Sequence, residues 1–168
     1  MMVQIFREEV LEQIHAHALR AFPFECCGMV CSDGTVRKCE NAIDRFHAAD
    51  PEAFPRTRVN GYCFEFEDLL FLDRSQSGPS PVVAVYHSHP DGTSVFSGAD
   101  RAAAMADGVP VYPALLHLIV GVDLCGIVAT RCYGYADGGY REMGVWKVRG
   151  AGGPDVDVCG SVQEMARG

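Results

Sequence analysis

The 168-residue sequence has no uninterrupted apolar stretch of about 18 residues, so no helix long enough to cross a bilayer is expected. Its longest apolar run, around Ala114 to Val122, is shorter than that and is broken by His117. The opening residues, Met1-Met2-Val3-Gln4-Ile5-Phe6-Arg7-Glu8-Glu9, lack the apolar core of a secretory signal, which leads us to expect a cytoplasmic protein. Positive charge is scarce. Lys and Arg number 14 against 22 Asp and Glu, giving a formal net charge of −8. A phosphate backbone is a poor partner for such a chain, so no nucleic acid is expected to bind. No Cys-x-x-C pair occurs among Cys26, Cys27, Cys31, Cys39, Cys63, Cys125, Cys132 and Cys159, which excludes a zinc knuckle or a thioredoxin-type motif. A chain of this length can bury a sizeable core without staples, so the cysteines are expected as reduced, mostly buried thiols. Walker and dinucleotide fingerprints are missing, and so are internal repeats.

One stretch carries chemistry. Val82 to Tyr86 reads as a short buried strand, with His87 and His89 at its end. In extended backbone, residues two apart project to one face, so both imidazoles can reach one metal ion. Pro90-Asp91-Gly92 then turns the chain, and Ser97-Gly98-Ala99-Asp100 opens an Ala-rich helix expected over about Ala99 to Asp107, ended by Gly108. Two imidazole nitrogens and one carboxylate oxygen, with a fourth position for water, form a usual catalytic zinc set. Ser97-x-x-Asp100 is also a capping box, a purely structural reading that does not exclude ligation.

The pattern His87-Ser88-His89, seven residues, Ser97, two residues, Asp100 resembles the signature of the JAMM (MPN-plus, JAB) zinc metalloproteases. Phe22-Pro23-Phe24-Glu25-Cys26-Cys27-Gly28-Met29-Val30 resembles the segment that carries that family's upstream glutamate. One departure is Phe96, where many bacterial members have proline; it touches loop shape rather than the ligands. The resemblance spans roughly residues 5 to 148. It implies an α/β fold, a mixed, curved β-sheet flanked by helices in the JAB/MPN (cytidine-deaminase-like) three-layer sandwich. It also implies one Zn²⁺ per chain held by His87, His89 and Asp100, with Glu25 as catalytic base and Ser97 stabilising the oxyanion. As a partner it implies a ubiquitin-like or sulfur-carrier protein with a C-terminal Gly-Gly, cut at the amide that follows. The substrate's identity and the oligomeric state lie beyond these motifs.

The rest of the chain frames this stretch. Val3-Gln4-Ile5 reads as a short edge strand. Glu8 to Ala21 reads as a helix, with Val10, Ile14 and Ala18 at i, i+4 spacing and Pro23 as its stop. His15 and His17 fall within it and read as surface or half-buried side chains. Cys27 to Cys31 and Thr35 to Cys39 form a hairpin around Ser32-Asp33-Gly34. Asn41 to Tyr62 reads as an irregular loop, either solvated or guiding an extended substrate. Cys63 to Phe66 is a candidate strand, and Glu67 to Arg74 a short amphipathic helix. Leu115 to Val122, Ile127 to Tyr133 and Tyr140 to Val148 form an antiparallel meander. His117, on an apolar strand, reads as a packed core histidine rather than a ligand. Residues 1–148 are taken as one metalloprotease domain and 149–168, rich in Gly and Asp, as a flexible tail.

Four rivals remain. A non-catalytic MPN scaffold would lack the ligands that stand here. A cell-wall peptide metallopeptidase, as in phage-tail-associated relatives, would come with a fused cell-wall hydrolase domain. The RadC-like branch prefers Asn where Ser88 stands. A zinc sensor would not need Glu25.

Overall fold

The computed structural model describes residues 5–148. The proposed strand at Val3-Gln4-Ile5 falls mostly outside these residues, with Ile5 itself helical, and the proposed tail from Arg149 lies outside them. The first long element, α1 (Glu8–Ala21), places Val10, Leu11, Ile14 and Ala18 on one buried stripe. Glu8 and Glu9 in its first turn and Arg20 in its last complement the helix dipole. Next come β1 (Cys27–Cys31), β2 (Val36–Cys39), α2 (Ile43–Ala49), α3 (Phe66–Ser75) and β3 (Val82–His89). They are followed by α4 (Gly98–Ala103), β4 (Met105–Ala106), β5 (Val109–Pro110), β6 (Leu116–Asp123), β7 (Gly126–Ala136) and β8 (Gly139–Lys147).

Six strands make one mixed sheet in the order β2-β1-β3-β6-β7-β8. Only β3 and β6 run parallel; the other neighbours are antiparallel, and β6-β7-β8 form the expected meander. The helix α1 covers one face, where Val10, Ile14 and Ala18 pack with Val30, Ala84, Tyr86, Leu118 and Val120. Leu72 of α3 packs on the other face against Met29 and Val85. Arg37 of β2 donates from Nε and Nη2 to Oδ1 of the buried Asp68, at 3.0 and 2.8 Å, fastening α3 to the sheet. The result is the α/β sandwich with a mixed sheet between helices.

Three expectations need correction. Residues 41–62 are not an irregular loop throughout, because α2 forms within them. Its first helical N–H, that of Ile43, donates to Asn41 Oδ1 at 3.2 Å. No strand forms at 63–66: the Cys63 N–H is taken by Asn41 Oδ1 at 3.2 Å, which fixes the segment as a coil leading into α3. The helix after the motif ends at Ala103, not Asp107. Asp107 and Gly108 both adopt positive φ, 49° and 80°, and turn the chain into the small β4-β5 hairpin.

The cysteine expectation holds for six residues. Cys26, Cys27, Cys31, Cys39 and Cys132 are free and buried, and Cys63 is free and half-buried. Cys125 is exposed in the β6-β7 turn, and Cys159 lies outside the described residues. No helix among the described residues is long and apolar enough to cross a membrane.

Candidate metal centre

Strand alternation sorts the motif between two faces. Tyr86 and Ser88 point to the α1 side. The Tyr86 ring lies over Gly28, where any Cβ would come within 2.4 Å of it, and its hydroxyl meets His17 Nδ1 at 2.8 Å. Ser88 Oγ accepts the Cys26 N–H at 2.9 Å. His87 and His89 therefore project together to the opposite face, with their Nε2 atoms 3.0 Å apart. Asp100 Oδ1 lies 3.4 Å from His87 Nε2 and Oδ2 lies 3.6 Å from His89 Nε2.

These separations test the fit to a metal. Zinc bonds of about 2.0–2.2 Å at tetrahedral angles put neighbouring ligand atoms roughly 3.3–3.6 Å apart. The two imidazole nitrogens lie 3.0 Å apart, a little closer than that spacing, and each faces one oxygen of the Asp100 carboxylate at 3.4 and 3.6 Å, both long for hydrogen bonds. The protonation pattern agrees. Thr93 Oγ1 donates to Asp91 Oδ1 at 2.7 Å, so it accepts from His89 Nδ1–H at 3.3 Å. That tautomer leaves His89 Nε2 bare for a metal. Burial lowers the pKa of His87, which favours the neutral imidazole that ligates. Burial acts the same way on His89 but is outweighed by the facing Asp100 carboxylate and by the charges of Glu25 and Asp91, which raise its pKa. Burial alone would raise the Asp100 pKa; the two imidazoles and Ser97 hold it far below the usual carboxylate range.

The helix α4 delivers Asp100. The Ser97 N–H donates to Asp100 Oδ2 at 2.8 Å, and the Asp100 N–H donates to Ser97 Oγ at 3.1 Å, a reciprocal capping box. Ser97 Oγ accepts in that bond, so its own proton remains available to a substrate atom. Phe96, the departure from the family pattern, is 2% exposed. Its ring packs with His117, Tyr133 and Tyr140 at centroid distances of 4.8, 5.5 and 5.0 Å, which sets the entry to α4.

Glu25 arrives by a different route. In β1, two residues on, Cys27 pairs directly with His87. The Glu25 carboxylate and the two histidine nitrogens form a group whose donor atoms lie within 4.8 Å of one another. Burial pushes the Glu25 carboxyl up to about 7, with His89 and Arg56 opposing and Asp100 and Asp91 assisting. Its backbone is clamped: the Glu25 N–H donates to Arg58 O at 2.7 Å, and Asn41 Nδ2 donates to Glu25 O at 2.9 Å and to Gly61 O at 3.0 Å.

The description "Prokaryotic homologs of the JAB domain" matches residues 7–133. The chain belongs to the JAB-domain family. Over 111 residues this JAB-domain chain is 30% identical to the tail tip assembly protein K of Escherichia phage N15. That stretch covers 62% of the chain but 37% of the phage protein, so the chain corresponds to little more than a third of that relative. Among solved structures, the chain resembles protein DSY2949 from Desulfitobacterium hafniense, with a TM-score of 0.56 and 19% identity. The likeness covers 80% of this chain and 86% of that one and concerns the fold alone. A protein from Salinibacter ruber (strain DSM 13855) aligns with a TM-score of 0.49 and 20% identity, over 88% of this chain and 93% of that one.

All five residues singled out in the sequence meet in this JAB-domain cleft. A cavity of about 420 Å³ is lined by Glu25, His89, Ser97 and Asp100, and His87 lies buried beside it, 3.0 Å from His89. His117 is buried, with its ring packed against Phe96 and Tyr140. Two contributors were missed: Tyr62, whose ring stacks on His87 at 4.4 Å, and Asn41, which clamps Glu25. Asn41 is the first residue of what reads as a loop, and nothing in the local pattern marks it. Thr93 had a visible signal, since Asp91-Gly92-Thr93 is an Asx-type turn directly after the second histidine.

Proposed function

We propose that this JAB-domain chain is a zinc-dependent peptidase or isopeptidase. On this reading it hydrolyses the amide that follows the C-terminal Gly-Gly of a ubiquitin-like or sulfur-carrier protein. The convergence of His87 Nε2, His89 Nε2 and the Asp100 carboxylate, 3.0 to 3.6 Å from one another, carries the reading. A zinc ion bound there acts as a Lewis acid and makes water a nucleophile near neutral pH.

The chain's own groups do the rest. Glu25 takes a proton from the attacking water and delivers it to the leaving amine. Burial suits it to both steps, because a carboxyl raised to about 7 exchanges protons readily near neutral pH. Ser97 Oγ, held by the Asp100 N–H, donates its proton to the oxygen that becomes negative. Tyr62 and Thr93 fix the two imidazole planes. A narrow cleft suits an extended Gly-Gly tail, which offers no side chain to clash.

The decisive experiment is metal content by elemental analysis under reducing conditions, wild type against Asp100→Ala. About one zinc per chain, lost in the variant, is expected. No zinc in the wild type, or zinc untouched by the substitution, overturns the ligand set. Glu25→Gln then separates a peptidase from a zinc sensor: it keeps the metal and loses turnover.

The phage relative favours a second reading, that of a tail-tip assembly component; joined to the resemblance to JAMM peptidases, it makes cell-wall peptides the alternative substrate. Release of stem-peptide fragments from purified peptidoglycan, with sulfur-carrier fusions left uncut, would select it.

A further inference from the structure

A second cavity, also of about 420 Å³, opens beside the metal cleft and has a different character. Its walls are largely apolar, from Phe64, Leu72, Val85 and Leu115, and two rim residues, Leu69 and Val111, are 46% and 52% exposed. Asp100 and Arg56 line both cavities, so the apolar one begins at the metal ligands. Its size falls at the small end of ligand pockets, with ample room for a large apolar side chain.

Arg56 is the charged group at the junction. Among the arginines of the same segment, Arg45 pairs with Glu65 and Arg58 pairs with Asp44 at 3.0 Å. Arg56 has no ion-pair partner among the described residues; its Nη1 only reaches Asn60 O at 3.5 Å. Its stem is nonetheless seated. It lies on Gly61, where a Cβ would approach Arg56 Cβ and Cδ to 3.0 Å. A seated guanidinium with no ion pair among the described residues, at the meeting point of a hydrolytic cleft and an apolar cavity, is complementary to a carboxylate attached to an apolar group.

We propose that the apolar cavity takes the side chain of the substrate's last residue, a large aliphatic or aromatic one, while Arg56 holds its α-carboxylate. The inference rests on the peptidase reading and names its substrate class: a polypeptide whose scissile amide joins its body to one C-terminal apolar amino acid. Hydrolysis consumes one water. The C–N bond breaks, the water oxygen stays on the acyl carbon as a new carboxylate, and the amine of the released residue leaves with the proton delivered by Glu25.

The test uses zinc-loaded protein and synthetic peptides ending in Gly-Gly-X, with X as Leu, Phe, Gly or Asp, each as free acid and as carboxamide. Release of X gives kcat/KM. Leu and Phe should exceed Gly by roughly ten- to hundredfold, the size expected for burying one large side chain. Amidation should cost a similar factor, that of one charge-assisted pair. Arg56→Gln should abolish the difference between acid and amide. Ala103→Trp, at an exposed position on the cavity wall, should abolish the preference for Leu and Phe over Gly. Cleavage that ignores both X and amidation overturns the proposal and leaves the peptidase reading intact. The same peptides are titrated onto Glu25→Gln by fluorescence anisotropy. Arg56-dependent binding of apolar acids without wild-type cleavage would keep the pocket and remove the peptidase reading. Neither binding nor cleavage overturns both.

Discussion

His117 should make the fold sensitive to mild acid. Burial, assisted by His87 and opposed by Asp100, depresses its pKa to about 4. In the unfolded chain the same imidazole titrates near about 6.5. The folded value is the lower one, so between these pH values the unfolded state binds more protons. Stability from this residue is therefore fully present above about pH 6.5 and lost as pH falls towards 4. Linkage over these two values gives a loss of about 2 kcal/mol between pH 7 and pH 5, and about 3 kcal/mol once both forms are protonated.

Other groups titrate in the same window, and only a difference isolates His117. Burial lowers His15 and His17 and adds to the acid loss, whereas Glu25, raised to about 7, works against it. The perturbation is His117→Phe, which keeps a ring between Phe96 and Tyr140 and removes an Nδ1 that is buried without a partner. Urea unfolding of chelator-treated wild type and variant is compared at pH 7 and pH 5. The variant should gain about 2 kcal/mol relative to wild type on moving to pH 5, or about 4–8 °C in Tm for a chain of this size. Parallel losses in the two proteins would refute a neutral, buried His117.

Two further substitutions probe the frame of the site. Gly121→Ala would put a Cβ 2.4 Å from Gly92 O, so the turn after His89 must shift. We expect about 1–3 kcal/mol lost by thermal melting and weaker zinc retention against a chelator. Asn41→Ala removes the bonds that hold the Glu25 carbonyl, Gly61, Ile43 and Cys63 together. It should cost about 2–3 kcal/mol and lower kcat at unchanged zinc content, since no ligand is touched.

The ligand stretch was legible because its geometry is covalent. One strand residue, Ser88, separates the imidazoles, and a capping box positions Asp100 whatever the rest of the chain does. The meander was legible from apolar runs broken at Asp123 and at Asp137-Gly138. By contrast α2, followed by Pro51 and Pro55, starts from a side-chain bond at Asn41 that no periodicity announces. The false strand at 63–66 has β-forming residues but no free partner, because Asn41 already takes its backbone. Glu25 is the instructive case. Alone it reads as a surface acid, and only the β1-β3 pairing, sixty residues apart in register at Cys27 and His87, brings it to the cleft.

That pairing also explains why the cleft can be rigid without a single helix crossing it. In β3 the residues between and before the histidines do the anchoring: Tyr86 lies over Gly28 and Ser88 accepts the Cys26 N–H. Both face α1 and are fully buried, so each locks the register of β1 against β3 from the side away from the metal. A slip of one residue would turn Tyr86 and Ser88 into the cleft and bury the imidazoles against α1. The large residue before His87 and the small glycine opposite it thus fix the register that places His87 and His89 beside Glu25. The residues that specify the fold here alternate, one by one, with the residues proposed to do the chemistry.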